Sequence, residues 1–179
     1  MTKNDDKVLE IARHHWDRSE ALAAGRLIFE SLPPEVRSPW AINILNFVRN
    51  AQRLKIRSIE RLVGVAFHPE NWKSIKPLFS EIRNETLQLE QRPTRSRDEE
   101  LVLCQLYLAE NVAKVIYNAT GPMDEFDDDS GWWIAKCLKC CVDQVGDEQF
   151  AKAAWSVLSD KNQTLERYWS QQKGSGPEK

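Results

Sequence analysis

DEELVLCQLYLAENVAKVIYN, Asp98 to Asn118, carries apolar residues around well over half of a helical circumference. Leu101, Val102, Cys104, Leu106, Leu108, Ala109, Val112, Ala113, Val115 and Ile116 leave only a narrow polar strip. A helix with that pattern must be touched from several sides, because a surface helix needs one apolar stripe and no more. The segment therefore predicts the central helix of an all-α bundle. Gln105 points into the apolar sector, where an amide without partners costs about 1–3 kcal/mol.

Helical spacing recurs outward from this segment in both directions. Upstream, QRPTRSRDEE reads as a loop, with Ser96 or Asp98 placed to cap the next helix. Before it, Trp72, Ile75, Leu78, Phe79, Ile82, Thr86 and Leu89 form one stripe, interrupted by Pro77. A proline there removes a backbone donor and predicts a kink or a restart. A shorter helix is expected over Ser58–Ala66, with a turn at His68-Pro69. Ser38 followed by Pro39 reads as N-cap and first helical residue of another. Its stripe is Trp40, Ile44, Phe47, Val48, Ala51 and Leu54. The first helix is expected from Asp5 to Ser31, with Val8, Ile11, Ala12, His15, Leu22 and Phe29 inward and Pro33-Pro34 as its stop.

Downstream, NATGPMDEFDDDSG is a loop and a helix follows from Asp129 or Ser130 to Val145. Gly146 ends it, and Asp147 caps a last helix that buries Phe150, Ala151, Ala154, Trp155, Val157 and Leu158. Leu165, Tyr168 and Trp169 suggest one more docked turn. The expectation is a single domain over residues 1–170, of six or seven mostly antiparallel helices, with 171–179 as a disordered tail.

Composition fits this reading. The chain has 179 residues, 41% of them hydrophobic, and a net charge of −2. That size supports a real core, and the charge argues against a protein coated in nucleic acid. No apolar run approaches the ~18 residues of a membrane span, and the first residues contain no apolar leader. A cytoplasmic location is the default expectation. The cysteines, Cys104 apart from Cys137, Cys140 and Cys141, are read as reduced thiols, since a secreted framework spreads its cysteines to staple loops.

Familiar chemistry is missing. There is no phosphate-binding glycine loop, no G-x-S-x-G and no H-E-x-x-H. The residues three before His14, His15 and His68 are not glutamates, which excludes a paired Glu-x-x-His iron site. Cys137-x-x-Cys140 has no second ligand pair, so core packing outweighs zinc. His15 reads as a hydrogen-bonded boundary residue. His14 with Glu10 and Asp17 reads as a charged surface rather than a metal site. Asp124, Glu125, Asp127, Asp128 and Asp129 form an acidic run, but the spacing does not fit a calcium loop. No catalytic residue, cofactor or metal ligand is assigned.

Two features remain. Trp132 falls on the outward stripe of its helix with Lys136, Lys139 and Asp143, while Trp133 falls on the core side. An outward Trp beside Asp124, Asp127 and Asp128 suits a protein partner with a basic surface. The leading expectation is thus a non-catalytic protein-binding module, an adaptor or an inhibitor-like or immunity-like antagonist. The second feature is basic: Arg37, Arg49, Arg53, Lys55, Arg57 and Arg61 are opposed in that region only by Glu60. Arg49, Arg53 and Arg57 align if the helix continues, giving a nucleic-acid-binding alternative. A further alternative is a divalent-metal-dependent enzyme that uses the acidic loop.

Overall fold

The computed structural model describes residues 3–51, 55–120 and 129–161. Among these every regular element is a helix. In chain order they are α1 (Lys3–Asp17), α2 (Ala21–Ser31), α3 (Pro34–Ala51), α4 (Arg57–Ala66), a 3-10 helix (Pro69–Ser74), α5 (Ile75–Glu90), α6 (Arg97–Asn118), α7 (Ser130–Val145) and α8 (Glu148–Ser159). None is long and apolar enough to cross a membrane.

Among the described residues eight α-helices stand where six or seven were expected, because the first periodic stretch breaks in two. The break, Arg18-Ser19-Glu20, contains neither Gly nor Pro. Ser19 takes a left-handed φ of 62° there. His15 closes the corner, its Nδ1 lying 2.6 Å from a Glu20 carboxylate oxygen. The imidazole also holds the Glu20 carboxyl below the usual carboxylate range. His15 is thus the boundary residue that its position suggested. Ile11, expected inside, is exposed.

The third element also starts early. Pro34 opens α3, and Pro39 lies inside it rather than at its first position. Pro39 has no N–H to give the preceding turn, yet Ser38, Pro39 and Trp40 are all buried. Burial of Trp40, whose Nε1 donates to the Leu158 carbonyl at 2.8 Å, ties α3 to the end of α8. The stripe before Gln91 restarts, as Pro77 required: a 3-10 turn over Pro69–Ser74 precedes α5, and Pro77 sits in the first turn of α5, where its missing donor costs nothing.

Helix ends downstream follow their caps. Ser96 and Glu99 form a capping box at the start of α6. Gly146, at φ 67°, ends α7, and the Asp147 carboxylate accepts the Phe150 N–H at 2.6 Å to open α8. α6 packs against α3, α4, α5 and α7. It buries Leu103, Leu106, Leu108, Val112 and Ile116, together with Gln105 and Glu110. Gln105 is 2% exposed, and its Nε2 meets no acceptor among the described residues. One Glu110 oxygen pairs with Arg83 at 3.3 Å.

Candidate functional site

The seam between α2 and α7 positions the start of α7, with Trp132 against α2 and Cys140 beside the contact. Two glycines bring these helices close together. A Cβ at Gly25 would lie 2.6 Å from the Ala135 Cβ and from the Trp132 carbonyl oxygen. A Cβ at Gly131 would lie 2.3 Å from the Phe29 ring. Gly25 meets the Trp132–Ala135 turn and Phe29 meets Gly131, so the two helices run in opposite directions.

This crossing sets the fate of the tryptophan pair, and it reverses the expected phase. Trp133, expected in the core, is 37% exposed. Trp132, expected outside, is half-buried and leans on the core. The physical reason lies in α2. It covers the side of α7 that holds Gly131 and Ala135, and the Trp132 ring is swept against that contact. Arg26 of α2 stands 4.8 Å above the Trp132 ring centre. Arg26 is also paired with Glu30 at 2.9 Å. Trp133 has no such cover from α2. Its Nε1 donates to the Asp129 carboxylate at 3.0 Å, and the Lys136 ammonium stands 4.3 Å from its ring centre. The start of α7 therefore presents two adjacent indoles, each faced by one cation.

Asp124, Asp127 and Asp128 lie outside the described residues, as do Leu165, Tyr168, Trp169 and the tail. Asp129 is described and sits at the N-cap position of α7, where a carboxylate is favoured by the helix dipole.

The four cysteines gather on α6 and α7, and they correct the expectation of reduced thiols. Cys104 and Cys140 form a disulfide, with Cα atoms 5.9 Å apart. Cys137 and Cys141 are free and buried. Burial pushes the Cys137 thiol up to about 12, with the Glu110 charge adding to the effect, and burial likewise raises Cys141. Both are protonated at neutral pH and chemically quiet. The pairing removes one sulfur from Cys137-x-x-Cys140, and it removes the cysteine argument for a cytoplasmic location. Cys spacing carries no information on pairing, which is why the sequence did not show it.

Lys55 and Ile56, which precede α4, are not helical, so Arg57 does not continue the Arg49 stripe of α3. Arg53 lies outside the described residues. Arg49 is held by Glu60 at 3.1 Å, and Arg61 is paired with Glu81. Arg57 is exposed. His14, Glu10 and Asp17 line a shallow groove on α1, but Asp17 is taken by Arg13 at 2.9 Å. Among the described residues no group of three His, Cys, Asp or Glu side chains could hold a metal ion.

Compared with protein-family models, characterised proteins and solved structures, the chain matches none.

Proposed function

We propose that this chain is a non-catalytic protein-binding module, an adaptor or an inhibitor-like or immunity-like antagonist, that docks through the leading end of α7. The observation that carries the reading is the exposed Trp133 ring beside the half-buried Trp132. Trp is the residue most enriched at binding hot spots, because a large rigid ring loses little entropy on contact. In this reading Trp133 is the anchor and Trp132 backs it. Asp124, Asp127 and Asp128, just before α7 in the sequence, supply the acidic charge that selects a partner with a basic surface. The chain acts as one domain organised about α6, so the docking face is held on a rigid support.

The test uses the full chain as bait, with identification of what is captured and titration of that purified partner. Trp133→Ala is expected to weaken binding about thirtyfold, the scale of a hot-spot loss. Asp127→Lys with Asp128→Lys is expected to slow association and to remove its salt dependence. Unchanged affinity in folded variants carrying all three substitutions would overturn the proposal. The nucleic-acid alternative through Arg49, Arg53 and Arg57 has less support, since Glu60 already occupies Arg49. The metal-dependent enzyme reading rests on the acidic run alone.

A further inference from the structure

A groove of about 640 Å³ runs beside the α2/α7 seam. Ser19 to Ala23 form one wall, and Lys136, Lys139, Cys140, Asp143 and Gln144 form the other. Only one cysteine of the disulfide lines it. Cys140 is partly exposed and lines the groove, whereas Cys104 is 4% exposed on the far side, in α6. Charges of both signs line the groove. Lys136 lies one helical turn before Cys140 and Lys139 adjoins it in sequence. Asp143 pairs with Lys139 at 3.0 Å, and Glu20 closes the opposite wall.

We infer that the Cys104–Cys140 disulfide is exchangeable, and that it is opened at Cys140 by a small amino-acid-derived thiol seated in this groove. A thiolate must reach one sulfur from the side opposite the other. The groove is lined by Cys140 and by no other cysteine, so the attack falls there. A thiol that carries carboxylates and an ammonium matches the lysines and the acids lining the walls. The incoming thiolate bonds to Cys140 Sγ and the Cys104–Cys140 bond breaks. The electron pair leaves on Cys104, which takes up the proton released by the incoming thiol. A second small thiol then attacks the outer sulfur of the mixed disulfide. It leaves as the small-molecule disulfide, and Cys140 becomes a thiol. Two small thiols are oxidised and one protein disulfide is reduced. Cys137 and Cys141 take no part because they are buried. The groove shares Lys136 with the docking face, where its ammonium stands over the Trp133 ring, but the thiol reaction is read on Cys140 and needs no protein partner.

The probe is reduced glutathione, added to the native oxidised protein, followed by iodoacetamide and peptide mass spectrometry. The expected first product, quenched and unfolded before alkylation, carries glutathione on Cys140 alone and the alkyl group on Cys104, Cys137 and Cys141. A glutathione adduct on any other cysteine, or none until denaturant is added, would overturn the inference. Lys136→Glu should slow the reaction with glutathione about fivefold, the order expected for reversing one solvated charge near the groove. The same variant should leave the reaction with uncharged 2-mercaptoethanol almost unchanged; equal slowing of both would sink the recognition by charge. Cys104→Ser leaves Cys140 as a single thiol and should accept glutathione from its oxidised form. Failure to do so in a variant with native circular dichroism would also count against the site.

Discussion

Two glycines of opposite character show what a single Cβ is worth here. Gly131 faces the Phe29 ring, which is itself confined by Trp40 at 5.7 Å and by Arg37 at 4.8 Å. Gly131→Ala therefore overpacks a site that cannot yield, and should cost about 2–3 kcal/mol in urea unfolding. Gly64 is exposed on α4 with nothing near its missing Cβ. Gly64→Ala should instead stabilise by about 0.5–1 kcal/mol, through helix propensity alone. Tyr107 makes a different prediction. Burial, then its hydrogen bond to Glu90 and the nearby carboxylates, push its phenol up to about 12. The protonated form is the one the fold favours. Its contribution is whole below the unfolded value of about 10 and is lost as pH rises through about 12. Tyr107→Phe should remove that part of the alkaline loss, seen by comparing urea midpoints at about pH 9 and pH 11. The Trp132/Trp133 phase was not legible from sequence. A run of Trp-Trp-Ile at a helix start fits two rotations, and the choice is made by α2, through Gly25 and Phe29.

Helix ends were legible where a side chain or a glycine makes the end locally. The α6 start is such a case: the Ser96 hydroxyl accepts the Glu99 N–H, and the Glu99 carboxylate accepts the Ser96 N–H at 2.8 Å. That backbone contact, with Arg92 behind it, holds the Glu99 carboxyl below the usual carboxylate range. Ser96→Ala should destabilise the protein by about 1 kcal/mol, while Ser96→Asp should stay within a few tenths, both measured by chemical denaturation. The α7 and α8 ends at Gly146 and Asp147 follow the same local chemistry. Other ends were not legible. The α1–α2 corner turns at Ser19 without a breaker residue, closed by a His15–Glu20 contact only five positions apart. The start of α3 precedes Pro39 by five residues because burying Ser38, Pro39 and Trp40 outweighs one lost backbone hydrogen bond.

At the scale of the molecule, the all-helical class followed from periodicity, which survives any error of rotation. The long-range link between α6 and α7 did not, because pairing depends on three-dimensional approach. The Cys104–Cys140 bond spans 36 positions. A loop of that length constrains the unfolded chain by about 4 kcal/mol in the chain-entropy account. Cys104→Ser with Cys140→Ser should lower the urea midpoint accordingly, and added reductant should then have no further effect on that variant. The same double variant should keep its docking face, since Trp132 is held against α2 and Trp133 by Asp129 and Lys136, and neither by the disulfide.

The docking account is tested most directly by a photo-crosslinking residue at position 133, with an equivalent label at the exposed position 152 of α8 as control. Light should join position 133 to one protein, identified by its peptides, through a lysine- or arginine-rich segment. That product should disappear at high salt and in the Asp127→Lys, Asp128→Lys background. No defined product at 133, or the same product from 152, would contradict the account.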